Sequence, residues 1–522
     1  MREKTLRVIG AAFVIIGVTL GACMHRPDPT RARGDHVVSD SASARLFAQH
    51  CATCHGEDGS GRGPAASLLV PRAPDFGSGR FSLVTTVNGV PSAEDLARTI
   101  RRGMPGSAMP AFAWLSDKEV AMLVDHVVSL GKRRMAAAFE QDARKGGGVL
   151  ASAAAKAMAE EAWQPGKALA LPPPLDDDTA HLARGRELYM RHCAACHGDD
   201  GRGRGPIRAW RDALQAGLAR DFTAGVLRGP ADHAGIAARV LGGMPRAGMP
   251  PTQLGDPSAT AALVAYVRSL IPEGVAERLV QTRQVLRAKR VDALPTSGND
   301  AEWAPASKQR IVLAPFEWSE DAIVEAELSA LHDGKRLALR LVWDDASEDR
   351  SPIASDACAL QFSNEAQPPL FGMGSREKPT NMWHWRAFRL ADIAGELDAL
   401  DVPHARRDPL TGKALSQDVP VYRTTPPLRE SSRTADEVQA QGIGELEVSH
   451  GGTPLRVDAQ WREGKWRVLF SRALEGSAAG EVDFVADETK DQVQVGIAIW
   501  NGAERRSTTF KSITIWHGLV IE

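Results

Sequence analysis

One segment of this chain occurs twice, and this repeat restricts the possible fold more than any other sequence feature. The first copy runs from Arg45 to Pro64 and the second from Glu187 to Pro206. Both copies contain the pattern Cys-x-x-Cys-His, formed by Cys51, Cys54 and His55 and again by Cys193, Cys196 and His197. Only six cysteines occur among 522 residues, which excludes a fold held together mainly by disulfides.

The Cys-x-x-Cys-His pattern has a specific chemistry. Its two thiols add to the vinyl groups of a haem, and the adjacent histidine reaches the iron. A structural zinc site needs four ligands per ion, and a thioredoxin-like dithiol needs no histidine. The repeat therefore predicts two covalent haems c, attached through Cys51, Cys54, Cys193 and Cys196, with His55 and His197 as axial iron ligands.

Each copy also offers a second axial ligand, because a Met-Pro pair follows at a similar distance. Both copies resemble class I cytochrome c, over residues 41–131 and 179–271. In that family the ligand is the methionine directly before the closing helix, which implies Met109 and Met249. Met104 and Met244 recur as well and remain alternatives, since a methionine often only fills a core. Two filled axial positions leave no iron vacancy, which favours electron transfer over catalysis.

The first residues have the pattern of an export signal. Three basic residues lie within residues 1–7, and residues 8–20 are apolar but too few to cross a bilayer comfortably. Leu20-Gly-Ala-Cys23 resembles the bacterial lipobox, which implies a signal peptide over 1–22, a lipid on Cys23 and a tether over 23–40. The expected location is the periplasmic face of a bacterial membrane. A conventional cleaved signal with an incidental cysteine is the alternative.

A third domain is predicted over residues 301–522, after linkers at 132–178 and 272–300. Its hydrophobic residues alternate with period two, as in Leu337 to Trp343 and Val493 to Ile499, which is typical of half-buried strands. Glu463-Gly464 separates two such runs and predicts a hairpin. The expected fold is therefore two all-α cytochrome c domains followed by an antiparallel β-sandwich.

Six short segments of this domain, in this order, resemble the haem b (gamma) subunits of periplasmic molybdenum enzymes such as ethylbenzene dehydrogenase, dimethylsulfide dehydrogenase, and selenate and chlorate reductase. The segments are 337–345, 356–362, 371–375, 381–386, 499–502 and 511–516. The resemblance implies a non-covalent haem b held between Met373 and Lys511. Met382 and His384 are alternative ligands, and Lys511 is otherwise an edge-strand lysine.

These features predict a three-haem electron-transfer lipoprotein that has no substrate chemistry of its own. The resemblance implies that its haem b exchanges electrons with the iron–sulfur subunit of a periplasmic molybdenum oxidoreductase. The two haems c would connect it to soluble cytochromes or the respiratory chain. A dihaem cytochrome fused to a carbohydrate-binding sandwich, or a dihaem peroxidase, are the alternatives. A net charge of −2 gives no electrostatic argument for a nucleic-acid partner.

Overall fold

Each copy of the repeat begins with a helix that ends just before the first motif cysteine. A computed structural model describes residues 41–522, except 177, 208–218, 352–353, 367, 369–372, 375–377, 389–434, 443–444, 449–451, 479, 486–491 and 504–510. Cys23 and the predicted signal and tether lie outside the described residues. The described helices are α1 (Ala42–His50), α2 (Ala52–His55), α3 (Ala93–Arg102), α4 (Asp117–Lys145), α5 (Ser152–Ala162), α6 (Thr179–His192), α7 (Ala194–His197), α8 (His233–Gly242), α9 (Pro257–Ser269) and α10 (Val275–Arg278).

The closing helix of each cytochrome module starts at a residue whose side chain caps it. Ser116 and Glu119 form a reciprocal capping box at the start of α4, and Asp256 accepts a hydrogen bond from the Ser258 N–H at the start of α9. The buried residues of α4 recur three or four positions apart, so one stripe of the helix packs into the module. Helix α4 continues past the predicted domain end at residue 131, and α5 packs against this extension.

Strands follow the second module. They are β1 (Val285–Arg290), β2 (Gln309–Val312), β3 (Ala314–Pro315), β4 (Glu325–His332), β5 (Arg336–Asp344), β6 (Arg350–Ser351), β7 (Ala354–Ser355), β8 (Ala357–Ser363), β9 (Thr380–Arg386), β10 (Ala435–Gly442), β11 (Glu445–Val448), β12 (Arg456–Arg462), β13 (Lys465–Ala473), β14 (Val493–Trp500), β15 (Lys511–Ile513) and β16 (His517–Ile521).

The main sheet has the order β11-β10-β9-β8-β14-β16-β1-β4-β5-β13-β12. Strand β1 joins its two halves by pairing in parallel with β16 through residues 285–288 and with β4 through residues 289–290. The other described strand pairs are antiparallel, as expected for the sandwich. The predicted linker over 272–300 thus contains a strand, because the alternating burial of β1 fits the pleat of a sheet and not a helix face.

The predicted hairpin is confirmed. Strands β12 and β13 pair in antiparallel register, with Trp461 opposite Trp466. Both turn residues, Glu463 and Gly464, adopt positive φ angles of 54° and 70°, the geometry of a two-residue type I′ turn.

One hydrophobic core lies between the two halves of the sheet. Leu339 and Leu341 of β5, Leu360 of β8, and Val495 and Ile497 of β14 all belong to it. Cys358 lies in the same core and is fully buried. Four tryptophans are buried there, which removes their faces from any sugar ligand: Trp343, Trp383, Trp385 and Trp466. None of the described helices is both long and apolar enough to cross a membrane.

Asp345 makes the stability of this domain depend on pH. Burial and the neighbouring Asp356 carboxylate raise the pKa of Asp345. The folded state therefore keeps its proton where the unfolded chain has lost it, and stability falls as pH rises from about 4 towards neutrality. As the pH rises from about 5 to about 8, we expect the free energy of unfolding to decrease less in Asp345→Asn than in the unmodified protein.

Urea unfolding followed by tryptophan fluorescence measures this difference. Asp344→Asn is the matched control, because the Asp344 side chain is 83% exposed and pairs with Lys465 at the surface. A pH dependence in Asp345→Asn equal to that of the unmodified protein would contradict the assignment.

Candidate haem sites

The motif residues of each module lie on a single helical turn. In α2, the N–H groups of Cys54 and His55 both donate to the Cys51 carbonyl, at 3.1 and 2.9 Å. In α7, Cys196 and His197 donate to the Cys193 carbonyl at 3.1 and 3.0 Å. This turn brings both thiols and the imidazole of the first motif to one cavity, and it brings Cys193 and His197 of the second motif to another. No disulfide forms among the five described cysteines.

Each motif histidine stacks on a phenylalanine. His55 lies 4.9 Å from the Phe76 ring, and His197 lies 4.5 Å from the Phe222 ring. Nδ1 of His197 lies 3.2 Å from the Arg220 carbonyl oxygen, the kind of contact that orients the ring of a metal-binding histidine. Burial lowers the pKa of His55 to about 4, so its imidazole is neutral at pH 7, as iron binding requires. Sequence reasoning missed the phenylalanines, although Asp-Phe recurs in both copies.

The first cavity, of about 1100 Å³, is bounded by both thiols, His55 and the two candidate methionines of the first module. The second cavity, of about 870 Å³, is bounded by Cys193, His197, Met244 and Met249. Apolar side chains supply most of the remaining walls. In each module at least one motif cysteine, the motif histidine and two methionines line a large apolar cavity, and this set fits a covalently bound haem.

Both candidate methionines of each module sit on one tight loop. The Met104 N–H donates to the Met109 carbonyl at 2.9 Å, and the Met244 N–H donates to the Met249 carbonyl at 2.8 Å. Gly103 starts the first loop with φ of 66°, and a Cβ there would lie 2.5 Å from the Pro110 carbonyl oxygen. The loop therefore brings Met104 and Met109 together to the first cavity, and both remain available as ligands.

A third cavity, of about 700 Å³, lies against the face of the sheet that points away from the sandwich core. Small residues on β8 and β14 form its floor: Ala359, Gly496 and Ala498. Aromatic side chains, Phe316, Trp500 and Trp516, form part of its walls, and Ala65 and Leu68 of the first cytochrome module complete it. This apolar cavity with a small-residue floor fits a flat macrocycle.

Lys511 lies at this cavity and is electrostatically unusual. Its Nζ lies 5.3 Å from the Phe316 ring centre and 5.0 Å from that of Trp500. Burial lowers the pKa of Lys511 to about 8. Deprotonation at pH 7 then costs about 1.4 kcal/mol, compared with about 4–5 kcal/mol for an ordinary lysine. A neutral amine is the form that can bind iron.

The other candidate ligands of this domain divide into two groups. Met373 and Met382 both line the third cavity, whereas His384 is not among its lining residues. Gly374 beside Met373 has φ of 59°, and a Cβ there would lie 2.5 Å from the Ala440 carbonyl oxygen. Only glycine fits this backbone conformation and this close approach to the sheet, and both place the adjacent Met373 at the third cavity. The structure thus brings Met373 and Lys511 to one cavity.

Comparison with known families agrees with this architecture. Residues 39–127 match the family described as cytochrome c oxidase, cbb3-type, subunit III, and residues 182–270 match the cytochrome c family. Residues 305–512 match the ethylbenzene dehydrogenase family. The chain therefore combines two cytochrome c domains with one domain of the ethylbenzene dehydrogenase family, which confirms the resemblances seen in the sequence.

Two relatives are similar to part of this chain. A Haloferax mediterranei protein, named for the haem subunit of a respiratory nitrate reductase, is 25% identical over 205 residues, covering 38% of this chain and 56% of the relative. The gamma subunit of dimethylsulfide dehydrogenase from Rhodovulum sulfidophilum is 24% identical over 244 residues, covering 42% of this chain and 73% of the relative. This chain thus spans little more than half of the first relative.

Among solved structures, a chain of the reducing HAO-like protein complex of Kuenenia stuttgartiensis is 24% identical. That similarity covers 44% of this chain and 95% of the solved chain, with a TM-score of 0.35.

Removing the Lys511 amine tests its role as an iron ligand. We expect Lys511→Ala to lose the extractable b-type haem while both covalent haems stay attached, because only the third cavity loses a ligand. Pyridine haemochrome spectra before and after acid–acetone extraction measure this. Lys465→Ala is the control, since that lysine pairs with Asp344 on the surface. An unchanged b-type spectrum in Lys511→Ala would rule out lysine ligation.

Replacing each methionine of the first loop by alanine, one at a time, shows which of the two is the iron ligand. We expect Met109→Ala to remove about a third of the ferric methionine–iron charge-transfer absorption, because Met249 and Met373 are the candidate ligands of the other two irons. It should also lower the potential of one c-type haem, since a thioether favours reduced iron. Met104→Ala should leave both properties near those of the unmodified protein. The reverse result would assign Met104 as the ligand. Met249→Ala and Met244→Ala provide the same comparison in the second module.

Proposed function

We propose that this protein is a three-haem electron-transfer subunit in which a haem b and two haems c form one continuous relay. Each iron, once bound, supplies one-electron exchange between its ferric and ferrous states. The observation that supports this best is the arrangement of the three cavities, of which the third and the first are each lined in part by residues of a neighbouring module. The third cavity adjoins the first module, and the first cavity adjoins the second module.

The contact between the third and first cavities is a dry apolar cluster. It contains Cys54 of the first motif, Leu68 beside the third cavity, and Phe316 and Ile513 of the β domain. Backbone hydrogen bonds hold the two sides together: the Val70 N–H donates to the Phe316 carbonyl, and the Phe316 N–H donates to the Lys511 carbonyl, both at 3.0 Å. Strand β15 and the first haem motif are therefore fixed to each other.

The contact between the first and second cavities is made by the second module. Arg228 lines both cavities. Arg246, also from the second module, lines the first cavity and donates to the Arg72 carbonyl at 3.1 Å. The order of the sites is therefore haem b, first haem c, second haem c, with haem b at one end of the row.

The proposed partner at the haem b end is the iron–sulfur subunit of a periplasmic molybdenum oxidoreductase. This part of the proposal is supported by the match to the ethylbenzene dehydrogenase family and by the similarity to a dimethylsulfide dehydrogenase gamma subunit. The second haem c would exchange electrons with soluble cytochromes or the respiratory chain. A lipid on Cys23 would tie the protein to the periplasmic face of a bacterial membrane.

Haem analysis and isolation of the native complex test the proposed function. We expect two haems c per haem b in the purified protein, and molybdenum and iron–sulfur clusters in material that co-purifies from solubilised membranes. When the partner supplies electrons, the haems c in the Lys511→Ala complex should stay oxidised, although dithionite still reduces them. A protein without extractable haem, or one isolated without molybdenum under conditions that preserve complexes, would overturn the proposal.

A further inference from the structure

The boundary between the two cytochrome modules holds two arginines, Arg220 and Arg228, for which no ion pair is found within the described part of the chain. Arg220 and Arg228 are each only 8% exposed. The Nε of both residues, and Nη1 of Arg220, have no hydrogen-bond partner in the described part of the chain. Burial, together with the nearby Arg246, lowers the pKa of Arg228 to about 10. Buried charges without a counter-charge are costly, so this boundary is built to receive an anion.

These arginines reach both cavities. Arg228 lines the first and the second cavity, whereas Arg246 lines only the first and Arg239 lines only the second. Some of them also hold the modules together through backbone carbonyls: Arg220 donates to Gly106 and Arg239 to Val84. From the first module, Arg102 donates a hydrogen bond to the Arg228 carbonyl at 2.8 Å and so holds the backbone of Arg228 in place.

The two copies of the repeat differ at these positions. Aligned on their Asp-Phe and Gly-Met-Pro segments, the first module has Ser82, Thr99 and Gly106 where the second has Arg228, Arg239 and Arg246. Ser82 and Thr99 line the first cavity but carry no charge. The second module therefore supplies two cations, Arg228 and Arg246, to the first cavity, in addition to Arg72 of the first module.

We propose that Arg228 is a shared anchor for the two haems c, with one propionate carboxylate of each haem bound to its guanidinium. This inference rests on the proposed function, since it requires both covalent haems. A haem carries two propionates, and a planar guanidinium with five N–H donors can bind two carboxylates at once. Arg246 and Arg239 then each serve one haem only.

A shared anchor has a measurable electrostatic effect. Reduction of an iron adds one negative charge, which a nearby cation stabilises in a poorly solvated site. Removing the charge of Arg228 should therefore favour the oxidised state of both haems c, whereas removing Arg246 or Arg239 should affect one haem each. The third cavity contains none of these arginines, so haem b is the internal reference.

Potentiometric titration of Arg228→Gln, Arg246→Gln and Arg239→Gln, followed by visible spectra, tests the inference. Haem content is first counted by pyridine haemochrome, so that a protein without two haems c counts against the proposed function and not against this inference. We expect Arg228→Gln to lower the reduction equilibrium constant of both c-type transitions about tenfold, or about 59 mV each. Arg246→Gln and Arg239→Gln should each lower one transition, and not the same one.

Unchanged potentials, or a shift of a single c-type transition in Arg228→Gln, would overturn the shared role. A purely structural role at the module boundary would also move the b-type transition or alter haem content. If Arg228→Gln does not fold, Arg228→Lys replaces it. A lysine ammonium keeps the positive charge but lacks the planar set of N–H donors with which a guanidinium binds carboxylates. Smaller decreases in both c-type potentials would then support the inference, and any other pattern would contradict it.

Discussion

The backbone hydrogen bonds that connect Val70, Phe316 and Lys511 are the contact on which the arrangement of sites depends. They attach the first cytochrome module to strand β15 beside the third cavity. Without this attachment the outer face of the sheet would expose an apolar surface, and Lys511 would be solvated. Burial of that face gives Lys511 its lowered pKa. The same packing brings Cys54 into one cluster with Ile513.

Much of the architecture could be predicted from local sequence. The Cys-x-x-Cys-His turns need only short-range hydrogen bonds, and the caps at Ser116 and Asp256 act within one helical turn. The hairpin at Glu463-Gly464 follows from the same kind of local signal, since its turn type needs residues that tolerate positive φ. Alternating hydrophobicity likewise identified the β5 and β14 strands that supply the sandwich core.

What escaped prediction depends on contacts between distant parts of the chain. Ile513, two residues after Lys511 in the same strand, packs in a cluster with residues of the first cytochrome module instead of the sandwich core, and no local pattern indicates that contact. Strand β1 pairs with two strands that are far away in sequence, so its short polar segment gave no local signal. The arginines at the module boundary are also informative only in three dimensions, because an arginine in a single sequence is more often a surface residue.

Strand β1 also limits how this chain can be divided. It lies between β16 and β4 and is the only link between the two halves of the main sheet in its described order. A fragment starting at residue 301, where the sequence pattern changes, would leave β16 and β4 with open edges, and exposed edges of this kind invite pairing with other chains. The segment that leads out of the second cytochrome module thus completes the next domain, so the smallest separable β unit must begin before Val285.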